Sequence, residues 1–503
     1  MSSAVFHLLF ADCDPDAVAV SCGEQSLTFA QVADRAHAVA SLLRAAGLGD
    51  GDHAALLCRN RVEVFEVVLG SLLSGVWLTP VNWHLAPREI DYILRDSGAR
   101  VVVVDEAHAA LVPVGPDTLV LGEAYEARLA AAPLVPVTGD DAPGGTMMYT
   151  SGTSGQPKGV KRSKPLTLDA ALGTCRATAR LVGFTEPGVH LVPGPLYHAA
   201  PLLFAVYDLL AGSTVLVMER WDTAVCLDLL RERGVTHVHL VPTMVLRLLR
   251  LMTERGIETH TGLRTLLHGA APIAPAVKHE AIRRFGPVLT EYWGATEGGV
   301  YTLVDAVTWL TRPGTVGQPL PSFEVFALDD ALEPLPPDAR GTLACRHKQL
   351  AQPFAYHGDE AKTRAAYPLP GVFSVGDLGH VDADGFVYLS DRRSNLILSG
   401  GVNIYPAEVE RVLAACPGVG DVAVTGVPDE EWGERVVAVV EPLAGVDPAE
   451  LEAGLRALCT VELARFKHPG AYRFVGQLPR LPSGKVRAQE LARLACGEGP
   501  VER

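Results

Sequence analysis

The stretch YTSGTSGQPKGV, residues 149–160, is the strongest local pattern in this chain. It combines three glycines, four Ser or Thr hydroxyls and one lysine within a dozen positions. Glycine permits positive φ angles and close approach of the backbone, so successive N–H groups and hydroxyls can surround phosphate oxygens while Lys158 adds positive charge. The stretch is not a Walker A motif, because Pro157 precedes the lysine and the spacing differs. It predicts a phosphate-binding loop, and a flexible Gly/Ser turn is the alternative.

Apolar strands alternate with amphipathic helices on both sides of this stretch. Apolar residues at helical spacing predict helices at 28–46, 62–75, 87–97, 222–233 and 243–255, and apolar runs predict strands at 53–58, 76–81, 101–105, 213–218, 236–242 and 265–270. This alternation is typical of an α/β fold in which helices flank mainly parallel sheets. From about residue 312, short β-like pieces predict a small β-rich unit, and the stretch after 395 predicts a separate small α+β domain.

Two further segments carry candidate catalytic side chains. EYWGATEGG, residues 291–299, places Thr296 and Glu297 after a glycine turn, where a carboxylate can hold Mg²⁺ on triphosphate oxygens. LPRLPSGKVRAQEL, residues 478–491, places Lys485 on a loop punctuated by proline and glycine. Taken alone, each segment has a simpler explanation. Thr296 and Glu297 could begin a solvent-exposed helix, and Lys485 could be a solvated surface lysine.

A longer segment, residues 373–410, offers groups suited to a nucleotide. Asp377 can accept hydrogen bonds from two vicinal hydroxyls, and Arg392 can donate bidentately. Gly400 and Gly401 permit a ligand to approach the backbone closely. Taken alone, a turn explains the aspartate and a surface ion pair explains the arginine.

These four segments, in this order and spacing, resemble the adenylate-forming superfamily of acyl-CoA synthetases, peptide-synthetase adenylation domains and firefly-type luciferases. The resemblance runs from about Phe29 to Leu491. It implies a large N-terminal adenylation domain, residues 1–390, with helix-flanked, mainly parallel sheets plus a small β-barrel-like unit. It also implies a hinge at 391–395 and a small mobile α+β domain at 396–503 that carries the catalytic lysine.

The resemblance also implies roles for particular residues. The phosphates of ATP are assigned to Thr150, Ser151, Gly152, Thr153, Ser154, Gly155 and Lys158, with Thr150 and Glu297 as metal ligands. Adenine and ribose are assigned to Gly269, Ala270, Ala271, Pro272, Trp293, Gly294, Asp377 and Arg392. The catalytic residues are Lys485, Thr296, Glu297 and His198, and the thiol side is assigned to Ser399, Gly400, Gly401 and Trp432. For His198 a wall of the acyl pocket, and for Trp432 simple packing, remain alternatives.

The activity that the resemblance implies is that of an acid–thiol ligase, an AMP-forming acyl-CoA synthetase. A carboxylate attacks the α-phosphorus of ATP, pyrophosphate leaves, and a thiol then displaces AMP from the acyl adenylate. The implied cofactors are ATP, Mg²⁺ and CoA. No general base is required in the first step, because a carboxylic acid with a pKa of about 4.3 is already ionised at pH 7.

Two positions depart from the usual pattern of the superfamily. Ser394, followed by Asn395, stands where a charged hinge residue is frequent, and Gly470 follows FKHP where relatives often have a basic residue. These departures favour, as a second hypothesis, an adenylation-only synthetase that hands acyl-AMP to a partner thiol-transfer protein. A third hypothesis is an inactive homologue that acts as a binding module. It is disfavoured by the retained Lys158, Glu297, Asp377, Arg392 and Lys485.

The acid is predicted from the small residues in the segments that surround its pocket. They are Ala199, Ala200, Gly269, Ala270, Ala271, Gly298 and Gly299. Such side chains predict a roomy apolar pocket and a bulky hydrophobic acid, whether fatty, branched or polycyclic. An amino-acid substrate would need a carboxylate to meet its ammonium, and Asp208 is the candidate within 198–208.

Composition excludes several classes of function. A net charge of −15 disfavours nucleic acid or an anionic membrane as the main partner, and 48% hydrophobic residues exclude a disordered chain. The longest stretch without a charged residue or histidine, 67–83, is too short and too interrupted for a membrane span. The nine cysteines are scattered and form no CxxC pair, and the sequence shows no signal peptide, so we predict a cytoplasmic enzyme. A homodimer is left open.

Overall fold

The computed structural model describes residues 3–150, 157–271, 273–392, 397–399, 402–429, 433–463, 465–481 and 484–498. Its α-helices in chain order are α1 Ser3–Phe10, α2 Phe29–Ala45, α3 Glu63–Ser74, α4 Pro87–Asp96, α5 Glu123–Ala131, α6 Leu168–Leu181, α7 Ala199–Leu210, α8 Thr223–Glu232, α9 Pro242–Glu254, α10 Pro275–Phe285, α11 Ala306–Thr311, α12 Glu360–Ala366, α13 Pro406–Leu413, α14 Pro448–Glu462 and α15 Ala488–Ala495. Short 3₁₀ turns lie at Glu106–Leu111 and Arg465–Lys467.

The first sheet is wholly parallel and has the order β6-β5-β3-β4-β7. Its strands are β3 His53–Leu57, β4 Trp77–Pro80, β5 Val101–Val104, β6 Asp117–Val120 and β7 Gly145–Thr146. Ala54 and Leu56 pack with α2 and α3 on one face, while Ala55 and Leu57 pack with α4 on the other. Burial on both faces is why these strands are continuous apolar runs.

The large second sheet continues the predicted α/β pattern. Its strands are β1 Val18–Cys22, β2 Gln25–Thr28, β10 Val189–Val192, β11 Thr214–Val217, β12 His237–Leu240, β13 Thr265–His268, β14 Leu289–Ala295, β15 Gly299–Asp305, β16 Thr315–Pro319, β17 Phe323–Leu328, β18 Gly341–His347, β20 Val372–Phe373, β21 Asp377–Val381 and β22 Val387–Arg392. The path β1-β11-β10-β12-β13-β14 is parallel, and β15 and β16 follow it antiparallel.

The predicted small β-rich unit is present, but it is joined to this large sheet. Strand β16 pairs with β15 on one side and with β22 on the other, and β22, β21, β18 and β17 follow as antiparallel neighbours. The unit is therefore an antiparallel extension that places β21, with Asp377 at its start, on the same continuous sheet as β14.

The C-terminal sheet is formed by β23 Ile397–Ser399, β24 Val402–Ile404, β25 Val419–Asp429, β26 Gly433–Pro442 and β27 Ala471–Phe474. Along β26, Val436, Ala438 and Val440 belong to one core cluster with α13 and α14. Val437 and Val439 belong to a second cluster with α15. Alternate side chains of β26 are therefore buried on opposite faces of the sheet, with helices covering both faces, as in the small α+β domain that the sequence predicted.

The uncharged stretch 67–83 lies in the core. It forms most of α3 and all of β4, and both elements are almost fully buried. Within the ranges given above, no helix combines the length and the apolar character that crossing a membrane requires.

Asp208 has a structural environment that excludes it as a ligand for a substrate ammonium. Its carboxylate is 1% exposed and accepts hydrogen bonds from Nδ1 of His190 at 2.9 Å and Nδ1 of His237 at 2.8 Å. The Ser213 hydroxyl donates to its other oxygen at 2.6 Å. Desolvation raises the pKa of Asp208, but these hydrogen bonds and the two histidines more than offset it and lower the pKa. The residue holds β10, β12 and α7 together.

Replacing Asp208 with alanine should destabilise the N-terminal part by about 3–5 kcal/mol, because two buried imidazoles and a hydroxyl lose their acceptor. Thermal unfolding at pH 7 measures this loss, and Ser213→Ala, which removes one donor, should cost only about 1 kcal/mol. Since the folded pKa is depressed, the carboxylate stabilises the fold above its unfolded pKa, and that contribution is lost as pH falls toward the folded pKa. Equal melting temperatures for both variants would contradict this role.

Candidate active site

A three-stranded antiparallel sheet presents the predicted phosphate loop. Its strands are β8 Met148–Thr150, β9 Lys158–Arg162 and β19 Phe354–Tyr356, in the order β19-β9-β8. Thr150 and Lys158 are directly paired across β8 and β9. The predicted ligands Ser151, Gly152, Thr153, Ser154 and Gly155 lie outside the described residues. The register nevertheless places the two ends of the loop side by side.

Helix α4 supports this hairpin through Asp96. The Tyr149 hydroxyl donates to one oxygen of Asp96 at 2.8 Å, and the Tyr92 hydroxyl lies 3.2 Å from the other oxygen and from the Pro157 carbonyl. Partial desolvation lowers the pKa of Lys158, yet contact with Tyr92 and the nearby carboxylates raises that pKa overall. Lys158 therefore stays charged at neutral pH. Asp96 and Tyr92 carry no motif and were missed by the sequence reasoning.

Thr296 and Glu297 lie in the turn between β14 and β15. The turn is tight, because a Cβ at Gly294 would collide with the Gly299 carbonyl. The Tyr356 hydroxyl on β19 donates to Oε1 of Glu297 at 2.9 Å. This bond connects the predicted metal ligand to the sheet that carries the phosphate loop.

Trp293 and Asp377 are brought together from strands far apart in sequence. Nε1 of Trp293 donates to Oδ2 of Asp377 at 2.7 Å, and the two side chains are 5% and 7% exposed. Arg392, the last residue of β22, pairs with Asp377 in the strand register. The three predicted adenine and ribose residues thus share one region of the sheet. Residues 393–396, which include Ser394 and Asn395 of the predicted hinge, lie outside the described residues.

The predicted adenine loop follows β13 directly. Gly269 is packed so closely that a Cβ would lie 2.6 Å from the Tyr292 ring. Ala270 has φ of +67°, which is unusual for a residue with a side chain and typical of strained functional loops. Ala271 is half-buried, and Pro272 lies outside the described residues.

Lys485 is carried by a loop that rests on the N-terminal part. Arg480 braces this loop by donating to the Gly484 carbonyl at 2.9 Å and pairing with Asp421 at 2.6 Å. Gly484 lies against Val241 and Thr243, where a Cβ would be 3.2 Å from either side chain. A second contact joins the guanidinium of Arg250 to the Gly420 carbonyl. The loop is therefore fixed against the end of β12 and the start of α9.

His198 lies at the start of α7, within reach of the charge of Lys485. It is the N-cap residue of that helix, and its Nε2 is buried with no hydrogen-bond partner among the described residues. Burial, as the larger cause, and the positive charge of Lys485 lower the pKa of His198 to about 4. His198 is consequently neutral at pH 7, and Lys485 lies close enough to act on it. This proximity brings together two predicted catalytic residues that lie 287 positions apart in the sequence.

On the thiol side the structure describes only part of the predicted set. Ser399 ends β23 and pairs with Gly433 of β26, whereas Gly400, Gly401 and Trp432 lie outside the described residues. Gly470 donates its N–H to the Val436 carbonyl at 2.8 Å. Cδ of Arg435 lies 3.9 Å from the position of a Cβ on Gly470, so the aliphatic stem of an arginine packs beside the glycine.

At three of the glycines predicted to surround the acid pocket, neighbouring side chains lie where a Cβ would be. The space beside Gly269 is filled by the Tyr292 ring, and the space beside Gly298 is filled by Tyr301. At Gly299, Nη1 of Arg162 lies 2.7 Å from where a Cβ would be. These glycines are small because larger neighbours occupy the volume, a relation that sequence composition cannot reveal.

Two family models cover most of the chain. One, described as AMP-binding enzyme, matches residues 10–354, and one for the AMP-binding enzyme C-terminal domain matches residues 408–485. A fatty acid–[acyl-carrier-protein] ligase from Streptomyces coeruleorubidus is 33% identical over 505 residues, covering 97% of this chain and 94% of the relative.

Solved structures give the same result. MatB from Rhodopseudomonas palustris with ATP bound superposes with a TM-score of 0.84 at 28% identity, covering 98% of this chain and 99% of that chain. The o-succinylbenzoate CoA synthetase from Bacillus subtilis, in complex with its acyl-adenylate intermediate, gives 0.82 at 28% identity, covering 97% and 98%. The chain therefore belongs to the AMP-binding enzyme family of adenylate-forming acid–thiol ligases.

Proposed function

We propose that this enzyme converts a carboxylic acid and ATP into acyl-AMP and pyrophosphate, and then transfers the acyl group to CoA. The observation that carries the proposal is that the loop with Lys485 rests on the N-terminal part, where Gly484 packs against Val241 and Thr243 and the charge of Lys485 reaches His198. A cation of the C-terminal part is thereby held near a residue that the family pattern assigns to the acid.

The first half-reaction needs charge neutralisation more than proton transfer. A carboxylate oxygen attacks the α-phosphorus, the bond to the bridging oxygen breaks, and pyrophosphate leaves with the electron pair. Both reactants are anions, so Lys485 is assigned to the oxygens of the carboxylate and the α-phosphate. Lys158 is assigned to the leaving phosphates, and Asp377 with Arg392 to the ribose.

The donors near the phosphate loop fit Mg²⁺. Thr150 offers a hydroxyl and Glu297 a carboxylate, and hard oxygen ligands of this kind are those that Mg²⁺ prefers. Tyr356 occupies one oxygen of Glu297, which orients the carboxylate. A bound Mg²⁺ would neutralise triphosphate charge, and the residues of the chain would hold the nucleotide in line with the acid.

In the second half-reaction the sulfur of CoA attacks the acyl carbonyl, the carbonyl–phosphate bond breaks, and AMP and one proton are released. The predicted hinge at 391–395 between domains 1–390 and 396–503 is assigned to the rotation that removes Lys485 and admits the thiol. The acid is proposed to be largely apolar, since Ala199 and Ala200 begin α7, the helix assigned to the wall of the acid pocket. At Gly269, Gly298 and Gly299 neighbouring side chains lie where a Cβ would be, so these three glycines add no argument for a bulky acid.

An adenylation-only enzyme is the second candidate. It is supported by Ser394 and Gly470 in the sequence, which depart from the usual pattern of the superfamily on the side of thiol transfer. Arg435 weakens it, because its stem packs beside Gly470 and its long side chain can bring a guanidinium to the phosphates of CoA in place of the missing basic residue.

Acid-dependent ATP–pyrophosphate exchange followed by single-turnover transfer distinguishes the candidates. We expect exchange without any thiol, and rapid conversion of acyl-AMP to acyl-CoA when CoA is added. Accumulation of acyl-AMP in the presence of CoA, with thioester formed only when a partner thiol-transfer protein is added, would select the second candidate. Absence of acid-dependent exchange across a broad panel of acids would contradict both and favour an inactive binding module.

A further inference from the structure

A half-buried cation that the proposed reaction does not use lies beside Gly299, in a segment predicted to surround the acid pocket. Arg162 is the last residue of β9 and is half-buried. Its Nη2 donates to the Tyr207 hydroxyl at 3.2 Å, and no Asp or Glu of the described chain forms an ion pair with it. A guanidinium has five N–H donors, so most of its capacity is unused.

A partly desolvated guanidinium without a carboxylate is costly unless a ligand or water satisfies it. The surrounding residues make room for it: Gly299, with φ of +80°, leaves free the space that a Cβ would take beside Nη1. The Tyr207 hydroxyl accepts from Arg162 and retains its own hydrogen, so it can donate to a second acceptor. Arg162 and Tyr207 together form a donor site with a single positive charge.

Helix α7 connects this donor site to the predicted reaction centre. Ala200, Leu203 and Tyr207 are half-buried, whereas residues 204–206 and 208–210 are buried. Their spacing puts the three on one stripe of the helix that starts at His198. At 1.5 Å per residue, Tyr207 lies about 10 Å along the axis from Ala200. Arg162 thus lies about 10 Å along α7 from the end of the helix that His198 caps.

We propose that Arg162, with Tyr207, binds a second carboxylate at the distal end of the substrate, so that the preferred acid is an apolar dicarboxylic acid. The inference rests on the proposed acid activation and names its substrate class. One charge at Arg162 matches one carboxylate better than a doubly charged phosphate. The neighbouring cation Lys161 does not add to it, because its Nζ contacts Nε2 of His53 at 2.8 Å and lies over the Trp77 ring.

The test compares α,ω-dicarboxylic acids of about six to twelve carbons with monocarboxylic acids of equal length, in ATP–pyrophosphate exchange. A charge-assisted pair of this kind discriminates by about 10- to 100-fold. The wild type should prefer the diacids by that factor in kcat/KM, Arg162→Met should abolish the preference, and Tyr207→Phe should reduce it. Arg162→Lys should retain part of it.

Lys161→Met is the matched control, since it removes the adjacent cation of the same strand that contacts His53 and Trp77. It should leave the diacid preference unchanged, and ATP affinity should show that Arg162→Met remains folded. Equal rates for monoacids and diacids in wild type and Arg162→Met would overturn the inference while leaving acid activation standing. Calorimetric binding of the diacids beside a non-hydrolysable ATP analogue supplies a second readout. If the wild type binds diacids and Arg162→Met does not, the inference is supported even where exchange fails. If Arg162→Met binds diacids as tightly as the wild type, the inference is overturned.

Discussion

Replacing Lys485 with alanine should slow acid-dependent pyrophosphate exchange by about 10²- to 10³-fold, the usual cost of losing one preorganised donor to a transition state. Transfer from preformed acyl-AMP should continue at close to the wild-type rate, because the lysine is assigned to the first half-reaction only. Both rates are measured in single-turnover assays with the purified full chain. Exchange near the wild-type rate would show that Lys485 does not serve the α-phosphate.

A second readout for this variant does not depend on turnover. The charge of Lys485 contributes to the lowered pKa of His198, so its removal should raise the pKa of His198 toward the ordinary value. Titration of the histidine ring by NMR measures the change. Arg493→Ala, which removes an exposed cation paired with Glu498 on α15, is the matched control and should change neither the exchange rate nor this pKa. An unchanged pKa for His198 in Lys485→Ala would contradict the placement of the loop.

Replacing Asp377 with alanine should weaken ATP binding by roughly 10²-fold or more, because two hydroxyl donors of the ribose would lose a charged acceptor. The same variant should bind ATP and 2′-deoxy-ATP almost equally, whereas the wild type should favour ATP. Calorimetric titration of both nucleotides gives the comparison. A variant that still strongly prefers ATP over 2′-deoxy-ATP would show that Asp377 does not bind the ribose hydroxyls.

The hydrogen bond from Trp293 makes a separate control necessary. Alanine at 377 also leaves the indole N–H of a buried side chain without its acceptor, which costs about 1–3 kcal/mol of stability. Trp293→Phe removes that donor and leaves the carboxylate in place. It should keep the discrimination against 2′-deoxy-ATP even if ATP affinity falls, and a loss of discrimination there would assign the effect to the indole.

The sequence determined the fold class because local periodicity and burial agree along this chain. The predicted helix 28–46 is α2, the predicted strand 101–105 is β5, and the valines of β26 alternate between two cores. Strands buried on both faces must be apolar throughout, and flanking helices must be amphipathic. Both patterns can therefore be recognised in the amino-acid sequence without a structure. The family pattern added the candidate residues, since their types and order are readable without coordinates.

Only the tertiary structure decided how those residues are held and what surrounds them. Asp96 and Tyr356 contact the site from elements distant in sequence, and Arg162, which follows the phosphate loop on β9, meets its partners Tyr207 and Gly299 on distant elements. No spacing rule predicts contacts that depend on strand order and register. The sequence suggested open space at Gly299, where the fold places the Arg162 guanidinium, and a ligand role for Asp208, where the fold places two imidazoles. A glycine in the sequence is compatible both with an open pocket and with a neighbouring side chain that fills the space. A carboxylate is compatible both with a ligand-binding role and with a structural role as a hydrogen-bond acceptor. The neighbours decide which, because packing and desolvation are properties of the folded chain.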